Sequence, residues 1–252
     1  MQTIVFFDID STLVENRFSP KAISEVLAEV EAASGKSLYE LGREMGLENA
    51  RRQQEDPDHP LTMDWDDILE TVAARYGVQL SKRGIDVWQR YALEEGVEVL
   101  DNAPQVLADL KNMGCMLVVA TKGLLKYQEP VLRAAGLWEF FDDVLTPDLT
   151  GYLKTTPEYF EKYTAQRDGR RFIQVGDHYY DDVICAVRNG FESLLRAPIA
   201  DLQPYTPLER VERLGHYRQR IPTYPEAGTD VQPSAVMISL EEVPAWIAST
   251  AR

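Results

Sequence analysis

The sequence is poor in the residues that form disulfides or bind soft metals, with 2 cysteines and 3 histidines among 252 residues. Cys115 and Cys185 each stand within an apolar run, which is the usual setting of a buried free thiol. A disulfide scaffold and a cysteine-based zinc site are therefore excluded.

Positive charge is also scarce, because 26 lysines and arginines stand against 41 aspartates and glutamates, and the formal net charge is −15. Such a field repels a polyanion, so we expect no nucleic-acid partner. No apolar run approaches the length of a membrane-spanning helix, and the chain enters its first apolar run without a charged leader. We therefore expect no membrane partner and a cytoplasmic location.

Apolar residues are plentiful at 44% of the chain, which is enough for a substantial core. Residues 3–7 are nearly all apolar, as in a strand that is buried on both faces. Further short apolar runs predict strands at 116–120, 143–145, 172–175, 193–195 and 235–238. Helical patterns lie between these runs. The alternation predicts an α/β fold, a Rossmann-like three-layer sandwich with a mostly parallel sheet.

One long stretch after the first strand lacks strand patterns. Helical patterns occur in it at 20–33, 37–53, 64–76 and 82–95. Because a loop of this length between two strands is unusual, we predict an inserted all-helical cap domain at 17–97. The remaining ranges, 1–16 and 98–252, would form a discontinuous catalytic core. The proline-rich segment 197–232 is interpreted as a second lid, a subunit contact or a surface excursion, and these alternatives stay open.

Polar side chains follow the predicted strands at the edge where an open α/β sheet binds its ligands. They are Asp8 and Asp10 after the first strand, Thr121 and Lys122 after the second, Lys154 after the third, and Asp177, Asp181 and Asp182 after the fourth. Clustered carboxylates are tolerable when a divalent cation lies between them, and a ligand set of oxygen atoms suits Mg²⁺. The predicted cofactor is therefore Mg²⁺.

The stretches "DIDST", "ATKG", the single Lys154 and "GDHYYDD" resemble, in order, the four motifs of the haloacid dehalogenase (HAD) superfamily. The resemblance covers about 1–16 and 98–195, and the helical insertion resembles the family's C1-type cap. It implies a phosphatase in which Asp8 is the nucleophile and forms an aspartyl-phosphate. Asp10 would protonate the leaving alcohol and then activate water.

The resemblance also implies the remaining roles. Thr121 and Lys154 would act on the transferring phosphoryl group as catalytic residues and, together with Lys122, bind the substrate. The metal ligands would be Asp8, Asp10 through its backbone carbonyl, Asp177 and Asp182, although the choice between Asp181 and Asp182 stays open. Two positions depart from the family pattern, because Lys122 stands where asparagine is frequent and His178 where serine or threonine is frequent.

The leading hypothesis is a Mg²⁺-dependent hydrolase of small phosphomonoesters, with a small phosphorylated metabolite as its partner. Asp10 separates it from the dehalogenases of the superfamily, which need no acid for an alkoxide leaving group. A phosphomutase uses the same two carboxylates and is the alternative enzyme, and a non-catalytic binding protein on the same fold is the third hypothesis. Trp65 and Trp88 are expected in the core of the cap, and the oligomeric state is not predicted.

Overall fold

The structure is a computed structural model that describes residues 2–56, 59–165, 167, 169–224 and 230–250. Positions 225–229 of the proline-rich segment 197–232 lie outside the described residues. No described helix is both long and apolar enough to cross a lipid bilayer.

Six strands form one parallel sheet at the centre of the molecule, in the order β5-β4-β1-β6-β7-β8. The strands, including two short ones outside this sheet, are β1 (Gln2–Phe7), β2 (Val14–Glu15), β3 (Glu98–Val99), β4 (Met116–Ala120), β5 (Asp143–Leu145), β6 (Arg170–Gly176), β7 (Glu192–Arg196) and β8 (Ala235–Met237). Every strand of the predicted sheet is therefore present. Because β1 lies between β4 and β6, the polar residues that follow these three strands meet at one edge.

Helices cover both faces of the sheet and fill the long insertion. They are α1 (Ser19–Ser34), α2 (Leu38–Glu55), α3 (Trp65–Arg75), α4 (Gly84–Glu94), α5 (Ala103–Asn112), α6 (Leu125–Ala134), α7 (Pro147–Thr150), α8 (Glu161–Thr164), α9 (Cys185–Arg188), α10 (Pro207–Arg213) and α11 (Val243–Thr250). A turn of π-helix, Tyr179–Ile184, leads into α9. The four helical patterns predicted between 20 and 95 agree with α1 to α4 to within about two residues.

Strand β1 shows why the fold has three layers. Successive side chains of a strand point to opposite faces. Val5 and Phe7 join the core that α5, α6 and α11 cover, whereas Ile4 and Phe6 join the core on the other face, where α8 and α9 lie. Both sets are buried, so residues 4–7 of the strand form a continuous apolar run rather than an alternating pattern. The prediction of a Rossmann-like three-layer α/β sandwich is confirmed.

A small antiparallel ribbon, β2 paired with β3, was not predicted. It pairs Val14 with Val99 and Glu15 with Glu98, and the backbone N–H of Leu100 donates to Leu13 O at 2.9 Å. Strands of two residues are too short to produce a sequence pattern, which is why the prediction missed them. Strand β2 precedes helices α1 to α4 in the chain, and β3 follows them. The proposed domain boundaries at 16/17 and 97/98 stay a prediction.

The segment 197–232 is packed into the fold over most of its described length. Leu202, Leu214 and Ile221 are buried in a core that includes Val236 of β8. Arg210 is also buried. Its guanidinium donates to Leu202 O, to Val236 O and to the Glu242 carboxylate in the turn before α11. A loose surface excursion therefore does not describe this part of the segment.

Helix α2 holds a buried glutamate among arginines. The Glu48 carboxylate accepts hydrogen bonds from Arg51 at 2.7 Å and Arg52 at 2.9 Å, and it is also in contact with Arg75 of α3. Its side chain has no exposed surface. The hydrogen bonds from Arg51, together with those from Arg52 and the charge of Arg75, lower the pKa of Glu48 from 4.5 to about 2 despite its burial.

This ion network predicts a pH-dependent contribution to stability. The folded-state pKa of Glu48 is below the unfolded value, so the stabilisation is present above pH 4.5 and is lost as pH falls toward about 2. Glu48→Gln should lower the free energy of unfolding at pH 7 by about 1–3 kcal/mol and flatten its decline in acid. Urea titrations from pH 7 to pH 3 measure both effects. The exposed Glu70 of α3 supplies the control, Glu70→Gln, and equal losses in the two variants would contradict the assignment.

Candidate active site

Asp8 and Asp10 leave the sheet at the carboxyl end of β1. The backbone N–H of Asp8 donates to Val175 O at 2.9 Å, which continues the ladder to β6. Ile9 between them is fully buried on the opposite side, so the two carboxylates face the same way. The chain then turns sharply, because Leu13 N–H donates to Ile9 O at 2.8 Å and Ser11 adopts a φ of 56°.

Lys154 is buried between two of the carboxylates. Its Nζ donates to Asp8 Oδ1 at 2.9 Å and to Asp182 Oδ1 at 2.6 Å, and its side chain is 1% exposed. Burial alone would lower the pKa of Lys154, but the charges of Asp182 and Asp8 outweigh it and raise the pKa. The ammonium group therefore stays charged at every physiological pH.

Asp8, Asp177 and Asp182 form an acidic cluster in which one carboxylate oxygen from each residue lies within 4.8 Å of the other two. Burial raises the pKa of Asp8 well above its ordinary value, although Lys154 opposes this, and the charges of Asp182 and Asp177 raise it further. Burial, followed by the charge of Asp182, raises the pKa of Asp177 to about 6. One buried and two half-buried carboxylates beside a single lysine are short of positive charge, and a hard divalent cation with oxygen ligands fits this set.

The structure distinguishes Asp181 from Asp182, the two neighbouring aspartates between which the sequence could not choose a metal ligand. Asp182 turns toward the cluster, where Gln174 Nε2 donates to it at 2.9 Å and the backbone N–H of His178 at 3.0 Å. Asp181 instead lies 3.3 Å from Lys122 Nζ and 3.1 Å from His178 Nδ1 through Oδ2. Asp182, and not Asp181, is therefore brought together with Asp8 and Asp177.

Asp10 lies beside this cluster rather than in it. Its carboxylate faces the open cavity and accepts a hydrogen bond from Gln128 Nε2 of α6 at 3.0 Å. Enclosure by the surrounding protein raises the pKa of Asp10, and the negative charge of Glu15 raises it further, while the Gln128 hydrogen bond opposes both. A carboxyl group that holds its proton more tightly than usual is suited to act as a proton donor.

Thr121 follows β4 directly and is buried, with its Oγ1 accepting from Gly123 N–H at 3.2 Å. Tyr159 OH donates to Thr121 O at 2.8 Å and so fixes the backbone there. A Cβ at Gly123 would stand 2.1 Å from Gln128 Nε2, so only glycine leaves room for the amide that contacts Asp10. The "TKG" turn therefore positions both Thr121 and Gln128.

Lys122 is held at the cavity wall by groups that the sequence did not connect with it. Its Nζ pairs with Asp181, contacts the hydroxyl of Tyr224 and lies 4.8 Å from the centre of the Tyr224 ring. Tyr224 belongs to the segment 197–232 and also packs against His178, with ring centres 4.8 Å apart. No local pattern marks Tyr224, because its role arises from a contact with a residue that is distant in the sequence.

A cavity of about 450 Å³ opens above these residues. The catalytic side is lined by Asp8, Asp10, Thr121 and Lys122 among others, and the helical insertion contributes Met63, Trp65 and Trp88. The two tryptophans were expected in the core of the cap. They are half-buried, and Trp88 packs edge-on against Phe18 and Tyr127, but both also line this cavity.

Residues 3–190 match the model of the haloacid dehalogenase-like hydrolase family. The chain belongs to this family. The matched range includes the end of β1, Thr121, Lys154 and the aspartates after β6, which are the positions whose motifs pointed to the family in the sequence. The hypothesis of a non-catalytic binding protein is thus displaced by that of an enzyme of a hydrolase family.

Several curated relatives of the chain are named as phosphatases. The chain is 27% identical over 205 residues to glyceraldehyde 3-phosphate phosphatase of Methanothermobacter thermautotrophicus, covering 77% of this chain and 85% of that protein. It is 27% identical over 208 residues to ribulose-1,5-bisphosphate 5-phosphatase of Halopiger xanaduensis, covering 79% and 86%. The crystal structure of a HAD phosphatase from Thermococcus onnurineus superposes with a TM-score of 0.69 at 20% identity, covering 98% of each chain. The prediction of a HAD-like phosphatase is confirmed.

Gly176, at the end of β6, leaves room for the Asp182 side chain in the site of this HAD-like enzyme. A Cβ there would stand 2.1 Å from Asp182 Cγ, so Gly176→Ala must displace the Asp182 carboxylate from Lys154. We expect kcat/KM for p-nitrophenyl phosphate to fall by about 100-fold or more. Gly215→Ala is the matched control, because nothing lies within 4 Å of its added Cβ. A Gly176→Ala enzyme as active as the control would show that the position of Asp182 does not matter.

Proposed function

We propose that the protein is a Mg²⁺-dependent phosphatase that hydrolyses a small phosphomonoester through an aspartyl-phosphate on Asp8. The observation that supports this best is the pairing of buried Lys154 with both Asp8 and Asp182, with Asp177 beside them and Asp10 at the cavity. This arrangement would provide a nucleophile, a metal-binding carboxylate set and a separate proton donor at one cavity, with a cation directly beneath them.

The acidic cluster fits the proposed cofactor. Asp8, Asp177 and Asp182 would hold Mg²⁺, with the backbone carbonyl of Asp10 as the further protein ligand that the family motif implies. When bound, Mg²⁺ supplies positive charge that neutralises the oxygens of the phosphoryl group and of the cluster. The raised pKa values of Asp8 and Asp177 are consistent with this role, because the positive charge near these two carboxylates is insufficient when Mg²⁺ is absent.

In the first step, an Asp8 oxygen attacks phosphorus while the bond from phosphorus to the leaving alcohol breaks. Lys154 holds Asp8 Oδ1, which leaves the other carboxylate oxygen for the attack. Asp10 gives its proton to the alcohol oxygen, and its raised pKa keeps that proton available. Thr121 and Lys122 would donate hydrogen bonds to the phosphoryl oxygens, which gain negative charge during the transfer.

In the second step, the Asp10 carboxylate takes a proton from water, and the water oxygen attacks the phosphorus of the aspartyl-phosphate. The bond between Asp8 and phosphorus breaks, so inorganic phosphate leaves and both aspartates return to their starting protonation states. The hydrogen bond from Gln128 stabilises the ionised form of Asp10, which this step requires. The same residue thus acts first as an acid and then as a base.

The alternative of a phosphomutase uses the same two carboxylates and stays open. It differs in the fate of the aspartyl-phosphate, which passes to a second hydroxyl of a sugar phosphate rather than to water. An assay for isomerisation with a phosphorylated activator, run beside phosphate release on the same substrate, separates the two reactions. The phosphatases among the relatives favour hydrolysis.

Asp10→Asn should trap the covalent intermediate. With p-nitrophenyl phosphate the leaving group needs no acid, so the first step proceeds, whereas the second step lacks its base. We expect one burst of nitrophenol, turnover lowered by about 100-fold or more, and a phosphoryl adduct detected by intact-protein mass spectrometry.

The Asp8→Asn variant is the control for this experiment. Asp8→Asn should give neither a burst nor an adduct, because the attacking oxygen is lost. If Asp10→Asn turns over at the wild-type rate, or if its adduct maps to a residue other than Asp8, the roles assigned to the two aspartates are wrong.

Binding of Mg²⁺ should be measurable without turnover. A ligand that binds the folded state raises the melting temperature, so millimolar Mg²⁺ should raise that of the wild-type protein by about 2 °C or more. Asp177→Asn should abolish the shift, because it removes one carboxylate of the cluster. Asp201→Asn, which alters an exposed carboxylate paired with Arg220, should keep it. An unchanged shift in Asp177→Asn would place the metal elsewhere.

A further inference from the structure

Three side chains that line the cavity each carry an oxygen atom that lacks a hydrogen-bond donor among the described residues. Asn16 Oδ1, Gln128 Oε1 and Asp181 Oδ1 are buried and have no partner among the described residues. In two of these side chains the other polar atom is held at the site: Gln128 Nε2 donates to Asp10, and the second oxygen of Asp181 is paired with Lys122. Buried acceptors of this kind are costly unless a donor reaches them.

Among the charged side chains that line the cavity, negative ones predominate. Among the described residues that line it, Lys122 and His178 are the side chains able to carry positive charge, and both face Asp181. Lys154 lies beneath the cavity, and its ammonium group already donates hydrogen bonds to Asp8 and Asp182. No described cation lining the cavity is therefore left to receive a second anionic group of a substrate.

Glu15 adds negative charge where the alcohol part of the substrate must lie. It lines the same cavity as Asp10, and its carboxylate forms no ion pair among the described residues. Since Asp10 protonates the leaving oxygen in the proposed reaction, the alcohol part of the substrate lies close to Asp10. The alcohol part therefore lies in a cavity to which Glu15 adds negative charge.

We propose that the alcohol part of the substrate is an uncharged polyol and that Glu15 is the residue that rejects substrates with a second negative charge. This inference rests on the proposed phosphatase function. Hydroxyl groups supply the donors that Asn16, Gln128 and Asp181 lack. A carboxylate or second phosphate supplies none of them and is repelled by Glu15. The ring faces of Trp65 and Trp88 complete the wall against which the carbon skeleton packs.

Matched substrates test the inference. Glycerol 1-phosphate offers hydroxyls and no second charge, propyl phosphate offers neither, and 3-phosphoglycerate replaces a hydroxymethyl group with a carboxylate. We expect kcat/KM to be highest for glycerol 1-phosphate and lower by about tenfold or more for each of the other two. Equal or faster hydrolysis of 3-phosphoglycerate would overturn the inference. If none of the three is hydrolysed while p-nitrophenyl phosphate is, the polyol assignment also fails.

Glu15→Gln identifies the origin of the discrimination. The ratio of kcat/KM for 3-phosphoglycerate to that for glycerol 1-phosphate should rise by about tenfold, because the repelling charge is removed. Using the ratio cancels any change in Asp10, since both substrates need the same proton. Glu98→Gln is the control, because Glu98 pairs with Glu15 across the β2–β3 ribbon but binds Arg17. An equal ratio in Glu15→Gln and Glu98→Gln would refute the role of Glu15.

Asn16→Ala tests the unpartnered acceptors in the same assay. Removal of Asn16 Oδ1 should lower the preference for glycerol 1-phosphate over propyl phosphate by about fivefold, and an unchanged preference would overturn its part in hydroxyl recognition. The proposed phosphatase function fails in a different way. In that case wild-type protein with Mg²⁺ releases phosphate from no phosphomonoester at all, including p-nitrophenyl phosphate.

Discussion

The buried ion pairs of Lys154 are the interaction on which the rest of the site depends. A lysine that is 1% exposed is tolerable only because Asp8 and Asp182 lie 2.9 and 2.6 Å from its ammonium group. The two carboxylates in turn depend on the lysine, since each buried charge would be expensive alone. The sheet order makes the triad possible, because β1 and β6 are neighbours and end at the same edge. Removing Lys154 leaves two carboxylates without their cation, whereas removing either carboxylate leaves the lysine with one partner instead of two.

The two aspartates of one short motif acquire different chemistry from their surroundings. Asp8 faces a lysine that favours its ionised form, whereas Asp10 faces Gln128 and the negative charge of Glu15. The surrounding protein raises the pKa of both carboxyl groups, but only Asp8 has a cation beside it to oppose the shift. Division of labour between a nucleophile and a proton donor thus follows from the neighbours of each carboxylate rather than from its residue type.

Elements far apart in the chain build the remainder of the cavity. Helices α3 and α4 contribute aromatic side chains, and the segment 197–232 contributes Tyr224, which holds Lys122 together with Asp181. The same segment is joined to the sheet by buried Arg210, so Tyr224 is presented by a packed part of the fold. The cavity wall that would meet the substrate is therefore assembled by contacts between distant segments, above the residues of the family motifs.

The sequence by itself determined the sheet, its flanking helices and the positions at which polar residues would meet. Apolar runs that end in Asp8, Thr121 and Asp177 are local signals, and the carboxyl ends of parallel strands are where such signals converge. Tertiary structure alone decided which of Asp181 and Asp182 faces the lysine, because a π-helical turn sets the direction of each side chain. It also decided the contacts of Gln128, Glu15 and Tyr224, since these depend on packing between distant segments, which leaves no periodic trace in the sequence.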